Sequence, residues 1–227
     1  MITPPITQIL PKIPFWDNLS SEEKAVVSQR AITKRFNKDQ IASSNSSACL
    51  GIILILSGGI RVSILSDEGR EVTLYRAKAG EFCISTASCV IHQLTFEAFV
   101  TAEEETTVLV IPSSITAKLM EKNVHVRAFI FERETERYSQ TIWAIQQMLF
   151  KKFDQRLASY FIDAYKNSGS TEIKKTQEEI ARDVNSAREV VARMLKDFAA
   201  KGFVEIKRGK ILLKNIDSLK KIDVTSH

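Results

Sequence analysis

The sequence is poor in cysteine, glycine and proline. Its 227 residues include three Cys, three His, eight Gly and five Pro. An odd cysteine count in a chain of this length is typical of a reducing compartment, because secreted proteins use paired cysteines as disulfides. Three cysteines without a CxxC pair cannot supply the four thiolates of an iron–sulfur cluster or zinc site. We therefore expect no iron–sulfur cluster.

Long apolar runs are also missing. No run reaches the ~18 residues that a membrane-spanning helix needs. The first ten residues lack the basic segment followed by an apolar segment that marks a secretory signal. The sequence predicts a cytoplasmic protein without a membrane partner.

The residue sets that most enzymes need are absent from the sequence. It contains no Ser/His/Asp set and no metal-ligand cluster, and Ser57-Gly58-Gly59 is too short to cradle a phosphate. What the sequence does have is an uneven charge distribution. Residues 51–111 contain four basic and eight acidic residues, whereas residues 166–221 contain 14 basic and eight acidic ones. Since a basic region attracts polyanions, the second half favours a nucleic-acid-binding protein that is not an enzyme.

The first half of the chain has the pattern of a small β domain. Residues 1–14 hold four of the five prolines and predict an extended segment. Ser20 and Glu23 have the spacing of a capping box, which predicts a helix to about Arg30. Short apolar runs separated by turns follow up to residue 111, including a hairpin around residues 67–69. Many short, closely spaced strands favour a closed barrel or jelly roll.

A long helical pattern begins after Pro112, where Ser113 or Ser114 can provide the cap. Apolar residues recur at three-, four- and seven-residue spacing: Ile115, Leu119, Val126, Ile130, Ile142, Ile145 and Leu149. Without glycine or proline to interrupt it, this stripe predicts one long helix that pairs with a second copy in a homodimer, with Ile130 in the seam. The polar middle, residues 132–140, is either a solvated stretch or a place for a bound ligand or a buried polar contact.

The last third predicts two short helices followed by a basic hairpin. An amphipathic helix over 153–165 precedes a second capping box formed by Thr176 and Glu179. Asn185 stands at a turn, where asparagine tolerates a left-handed conformation. Ser186 then has the spacing to cap a second helix with Glu189 at its third position. Apolar strands flank the basic turn 207–210. This order predicts a winged helix-turn-helix.

Such a motif reads DNA with the first turns of its second helix. Arg can bind guanine through O6 and N7, and Glu can accept from cytosine N4, so the predicted base contacts are Arg188, Glu189 and Arg193. Helix starts and the basic turn suit phosphates. The predicted phosphate contacts are Thr176, Gln177, Ser186, Lys207, Arg208 and Lys210. The alternative is that these residues only solvate an exposed helix face.

The order of these parts resembles the Crp/Fnr family of bacterial transcription regulators from about residue 13 to residue 215. The stretch from Thr176 to Lys196 looks like the helix-turn-helix of that family. Arg188-Glu189 followed by Arg193 is similar to the catabolite-activator version, which implies inverted-repeat half-sites of the TGTGA type. Asn185 departs from the pattern, because the family usually has Gly there. In the first half, residues 56–58, 67–71 and 79–82 look like the barrel turns.

The resemblance implies an α+β fold with three parts. These are a cyclic-nucleotide-binding-like β jelly roll at 13–112, a dimerisation helix at 113–149 and a winged helix-turn-helix at 150–218. It also implies a homodimeric transcription regulator that binds double-stranded DNA and responds to a small-molecule effector. RNA polymerase is a further candidate partner. The alternative is a constitutively DNA-binding or architectural protein whose sensor barrel is degenerate.

The effector segment departs from the cyclic-nucleotide pattern. The family follows the phenylalanine of the glycine-bearing turn with a Gly-Glu-Leu-Gly-type run, whereas this chain has Cys-Ile-Ser-Thr-Ala-Ser-Cys at 83–89. No Arg lies between Lys78 and Lys118, and Phe96 is nearest to the place of the phosphate-binding Arg. We therefore predict an effector other than cyclic AMP. The candidate pocket residues are Cys83, Ser85, Thr86, Ser88, Cys89 and Phe96.

The effector itself and any cofactor stay open. Cys83 and Cys89 are either redox-active thiols or inert core residues. His92 is a candidate haem ligand, as in some gas-sensing members of the family.

Overall fold

The computed structural model describes residues 4–44, 50–66, 71–84 and 98–224. The chain divides into two compact units, Met1–Thr141 and Ile142–His227. The helices are α1 (Ile6–Ile9), α2 (Ser21–Arg30), α3 (Ser113–Lys122), α4 (Val124–Phe150), α5 (Phe153–Ser168), α6 (Gln177–Asp183), α7 (Arg188–Ala200) and α8 (Ile216–Val224). The strands are β1 (Ile32–Phe36), β2 (Ile41–Ser44), β3 (Ile52–Ser57), β4 (Gly59–Leu65), β5 (Glu71–Lys78), β6 (Phe82–Ile84), β7 (Ala98–Ala102), β8 (Thr106–Ile111), β9 (Glu172–Ile173), β10 (Val204–Lys207) and β11 (Lys210–Leu213). No helix of the described residues is long and apolar enough to span a membrane.

The first unit contains two antiparallel four-stranded sheets, in the orders β1-β8-β3-β6 and β2-β7-β4-β5. Both faces of the first sheet are covered. Ile53 and Val108 pack against the second sheet, whereas Leu54 and Leu109 pack against the helices. When a sheet is buried on both sides, its strands have continuous apolar sequences, and β3 and β8 have this pattern. The predicted hairpin is confirmed as β4 and β5, although its turn at 67–70 lies outside the described residues.

The predicted extended segment at the start of the chain is wrong. Residues from Ile6 to Lys12 form α1 and a 3₁₀ turn, and Ile9 and Leu10 are buried against the barrel. The prolines permit this, because Pro5 precedes the first helical residue and Pro11 lies in the first turn of the 3₁₀ helix. The capping box of α2 is confirmed by the reciprocal hydrogen bonds of Ser20 and Glu23.

The predicted single long helix is interrupted at Asn123. The Asn123 side chain Oδ1 accepts hydrogen bonds from the backbone amides of His125 (3.0 Å) and Val126 (3.3 Å), so it caps the start of α4. The Asn123 Nδ2 donates to the carbonyl oxygen of Asn18 at 3.0 Å, which ties the junction to the start of the domain. Neither predicted cap of α3 is used: α3 begins directly after Pro112 without a side-chain cap.

The predicted seam residue Ile130 faces the core of its own domain. It is 4% exposed and packs with Val126 and Phe129 among the residues that cover the first sheet. Sequence spacing alone does not say which partner an apolar stripe contacts, and here the first half of the stripe contacts the barrel. The large apolar side chains exposed on α4 include Phe131, Tyr138, Ile142, Ile145 and Leu149.

The second unit is a small helical domain with a three-stranded antiparallel sheet in the order β10-β11-β9. Its core is formed by the inner faces of α5, α6 and α7 with the two longer strands. Two further elements are not predicted by the sequence pattern. The two-residue strand β9 pairs with β11, and the C-terminal helix α8 buries Leu219 completely against that core.

Candidate nucleic-acid interface

Helix α6 begins at the predicted capping box. The Thr176 side chain accepts from the Glu179 amide at 3.2 Å, and the Glu179 carboxylate accepts from the Thr176 amide at 2.8 Å. The helix ends at Asp183, and Asn185 has a φ of 50°, which confirms the predicted left-handed conformation. The Ser186 amide donates to the carbonyl oxygen of Ala181 at 2.9 Å and closes the turn.

The predicted cap of the second helix is wrong. Helix α7 begins at Arg188, its N-cap position is Ala187, and no side chain caps it. Ser186 therefore lies one residue too early to serve as the cap. Glu189 consequently occupies the second helical position, not the third.

The three predicted base-contact residues lie on the exposed side of α7. Arg188, Glu189 and Arg193 are all exposed, and none has a hydrogen bond or ion pair with any described residue. The opposite side of the helix is fixed, because Val191 and Leu195 are fully buried. The helix therefore has one packed side and one side whose charged groups can contact a ligand.

Lys196 belongs to the same exposed face and is missing from the sequence-based prediction. It follows Glu189 by seven residues and Arg193 by three, so the three side chains share one face of α7. Its helical spacing from Glu189 is the signal that could have identified it. Lys196 adds a positive charge at the edge of the candidate interface.

The candidate phosphate-contact residues near α6 differ in whether their side chains are already hydrogen-bonded or partly buried. The Thr176 hydroxyl is occupied, because it donates to Glu179 Oε2 at 2.9 Å while it caps α6. Gln177 and Ser186 are half-buried at the start of α6 and in the turn. The contact of these three residues with DNA stays a prediction.

The basic hairpin between β10 and β11 carries its own carboxylates. Lys207 Nζ lies 3.2 Å from Glu205 Oε1, and Lys210 Nζ lies 3.0 Å from Glu172 Oε2. Hydrogen bonds from Lys214 and Lys207 lower the pKa of Glu205. Arg208 is exposed at the hairpin tip and has no ion pair within the described part of the chain. Of the three predicted wing contacts, Arg208 is thus the one whose charged group has no ion pair with a described residue, and its contact with a phosphate stays a prediction.

Cys83 is the one predicted effector-pocket residue that the structure describes. It is fully buried, its Sγ lies 3.8 Å from the Tyr75 hydroxyl oxygen, and burial raises the pKa of its thiol to about 11. A thiol with that pKa is almost entirely protonated at neutral pH, which favours the inert alternative for Cys83. The other predicted pocket residues, Ser85, Thr86, Ser88, Cys89 and Phe96, and the haem candidate His92, lie outside the described residues.

The polar middle of the long helix provides a buried polar contact that faces Cys83. Arg137 Nη2 donates to the carbonyl oxygen of Phe82 at 2.9 Å. The Cζ atom of Arg137 lies 4.7 Å from the centre of the Tyr75 ring. Burial raises the pKa of the Glu134 carboxyl to about 7, although the neighbouring Arg137 opposes the shift. Of the alternatives for residues 132–140, a buried polar contact therefore holds for Glu134 and Arg137. Several of the other residues in this stretch are exposed.

Comparisons with known proteins match both halves of the chain. Residues 33–123 match the model of the cyclic nucleotide-binding domain, and residues 155–222 match that of the Crp-like helix-turn-helix domain. The solved structure of a Crp/Fnr-family protein from Eubacterium rectale has a TM-score of 0.87 and 35% identity, over 94% of this chain and 99% of that chain. The chain belongs to the Crp/Fnr family.

More distant Crp/Fnr relatives have named effectors. The cAMP-activated global transcriptional regulator Vfr of Pseudomonas aeruginosa is 24% identical over 173 residues, which are 73% of this chain and 80% of Vfr. The c-di-GMP-responsive global regulator CLP of Xanthomonas campestris has a TM-score of 0.71 and 17% identity, over 86% of this chain and 99% of CLP. The similarity to CLP shows the fold alone, and both effectors are properties of those two proteins.

Membership in the Crp/Fnr family confirms the predicted class of protein. Crp/Fnr members are DNA-binding transcription regulators and not enzymes. The predicted order of a cyclic-nucleotide-binding-like β domain, a long helix and a C-terminal helix-turn-helix is also confirmed. The predicted domain boundaries and individual DNA contacts stay predictions.

Proposed function

We propose that this protein is a homodimeric transcription regulator that binds an inverted repeat through α7. Arg188 and Arg193 bind guanines through O6 and N7, and Glu189 accepts from a cytosine N4 on the opposite strand. The observation that supports this most is the exposed, unpaired state of these three side chains on a helix whose other side is buried.

The second copy packs on the exposed apolar face of α4. Phe131, Tyr138 and Ile145 recur every seven residues, and Ile142 and Leu149 lie beside them on the same face. Five large apolar side chains on one exposed helical face are typical of a helix that pairs with another helix. Two copies related by a twofold axis then place their α7 helices in successive major grooves, with half-sites ~34–36 Å apart.

The effector is a small molecule other than cyclic AMP. This chain has no Arg between Lys78 and Lys118, so a cyclic phosphate has no arginine partner in that segment. A phosphate anion also needs a cationic or amide partner when it is taken out of water. RNA polymerase stays a candidate partner of the DNA-bound dimer, and a cytoplasmic location fits this function.

Selection of sites from random DNA tests this function. The wild type should return an inverted repeat of TGTGA-type half-sites, and Arg188→Ala should lose about 1–3 kcal/mol per half-site and relax the preference at one base pair. Arg208→Ala is the control, because Arg208 has no ion pair with a described residue and loss of a phosphate contact weakens all sequences alike. If the wild type returned no repeat, the alternative of a sequence-tolerant architectural protein would replace this proposal.

A further inference from the structure

A single carboxylate joins three segments next to the turn of the helix-turn-helix. Asp183, the last residue of α6, has a side chain that is only 8% exposed. Its Oδ2 accepts from the Tyr160 hydroxyl of α5 at 2.9 Å. The same oxygen lies 2.6 Å from Lys175 Nζ, which belongs to the segment that leads into α6. The end of α6 is thus connected both to α5 and to its own entry segment.

A second side chain of α5 reaches the next residue of the turn. Arg156 Nη1 donates to the carbonyl oxygen of Val184 at 3.3 Å. Arg156 and Tyr160 are four residues apart, so they project from the same side of α5. One face of α5 therefore contacts two successive residues, 183 and 184, at the point where the chain leaves α6.

These contacts occur at a turn that lacks two common local features of helix ends, a side-chain cap and a left-handed glycine. Helix α7 has no side-chain cap at Ala187, and the left-handed position of the turn is occupied by Asn185, not by glycine. The direction in which α7 leaves the turn must therefore be set by packing and by contacts from outside the turn. Among the described residues, the carboxylate of Asp183 provides a charged contact of this kind.

We propose that Asp183, Tyr160 and Lys175 are positioning residues that hold α7 at the angle required for base reading. The inference rests on the proposed function, because it assigns these residues to the sequence-specific part of DNA binding. Side chains that read bases must be held within about 0.5 Å and 10–20° of their productive geometry. Lysine and arginine contacts to phosphates carry no sequence information and tolerate a less exact position. Loss of the network should thus lower specific binding more than non-specific binding.

Tyr160→Phe removes one hydroxyl and retains the ring, whose centroid lies 5.5 Å from that of the Phe161 ring. We expect the dissociation constant for the selected site to rise ~fivefold to tenfold, which is less than the full loss of a hydrogen bond to a charged group because Lys175 still holds the Asp183 carboxylate. The dissociation constant for a scrambled duplex and its salt dependence should stay unchanged. Tyr165→Phe is the matched control, because Tyr165 lies on the same helix, is partly buried in the same core and has no side-chain hydrogen bond with described residues.

A second variant, with thermal unfolding as the check, separates an effect on the position of α7 from an effect on the stability of the domain. Lys175→Met removes the ammonium group that pairs with Asp183 without changing the core, since the Lys175 side chain is 42% exposed. Its effect should be smaller in a Tyr160→Phe background than in the wild type, because both side chains act through one carboxylate. Thermal unfolding of each variant shows whether the domain remains folded at the assay temperature.

The outcomes distinguish the two proposals. If the wild type does not prefer its selected site over scrambled DNA, both the proposed function and this inference are overturned. If the wild type does prefer it, but Tyr160→Phe and Lys175→Met change specific and scrambled binding equally or not at all, the positioning role alone is overturned. A selective loss in both variants, with Tyr165→Phe unaffected, supports it.

Discussion

At the scale of single residues, the alanine at the N-cap position of α7 leaves the start of this helix without a side-chain cap. Serine or threonine at an N-cap accepts a hydrogen bond from a helix amide, and Ala187 cannot do so. The sequence offers Ser186 one position earlier, and spacing alone does not distinguish the two positions. The start of the candidate recognition helix is therefore less stable than its composition suggests.

Ala187→Ser should stabilise the protein by about 0.5–2 kcal/mol, because it supplies the missing cap of α7. Urea unfolding at neutral pH measures the change. Ala200→Ser, at the exposed C-terminal end of the same helix, is the control and should give no such gain. Equal stability of the wild type and Ala187→Ser would show that another group already satisfies these amides.

The Glu134 carboxyl should make stability depend on pH. Burial raises its pKa to about 7 in the folded protein, compared with about 4.3 for an unperturbed glutamate. Between these values the folded state binds more protons than the unfolded state, so stability should fall as the pH rises from 5 to 7 and then level off. The upper bound of the effect is about 4 kcal/mol.

Glu134→Gln removes this titration and should flatten the pH dependence of the free energy of unfolding between pH 5 and pH 8. Glu132→Gln, at an exposed position of the same helix, is the control and should leave the profile as in the wild type. An unchanged profile in Glu134→Gln would mean that the carboxyl is ionised throughout this range.

At the scale of elements, local signals in the sequence identify helix starts better than they identify helix partners. The capping boxes at Ser20 and Thr176 and the turn at Asn185 are confirmed because their hydrogen bonds form between residues close in the sequence. The partner of the long apolar stripe is decided by tertiary packing, and the interpretation of Ile130 as a seam residue is wrong for that reason. The two-residue strand β9 exists only because β11 pairs with it, so no local pattern indicates it.

The junction between α3 and α4 should depend on Asn123. Asn123→Ala removes the cap of α4 and the hydrogen bond to the Asn18 carbonyl, and it should cost about 1–2 kcal/mol in thermal or urea unfolding. Asn123→Ser keeps a capping oxygen and should lose less. Equal losses in the two variants would indicate that the cap does not stabilise the junction.

At the scale of the whole molecule, the proposed regulator is a dimer whose seam is the exposed face of α4. Ile145→Asp should shift the protein towards the monomer, because it places a charge in an apolar contact. Analytical ultracentrifugation at micromolar concentration measures this. Gln147→Asp, on another face of the same helix, is the control. A wild-type protein that sediments as a monomer would contradict the proposed assembly.

Cyclic AMP should neither bind nor activate this protein. A ligand at a hundredfold excess over its dissociation constant stabilises the folded state by about 2.7 kcal/mol, which is several degrees in the melting temperature. Millimolar cyclic AMP should therefore leave both the melting temperature and the DNA affinity unchanged. A shift with cyclic AMP but not with AMP would contradict the interpretation of the segment after Phe82.

Base reading by Arg188, Glu189 and Arg193 of α7 can be tested with a loss-of-contact experiment. The affinities of the wild type and of Arg193→Ala are measured for the selected site and for versions with one base pair changed at each position. The wild type should lose about 1–3 kcal/mol at each contacted pair. Arg193→Ala should become indifferent to one symmetric pair of positions and keep its preference at all others. If Arg193→Ala retained the full preference of the wild type at every position, Arg193 would not be a base-reading residue, which would contradict the proposed mode of DNA recognition.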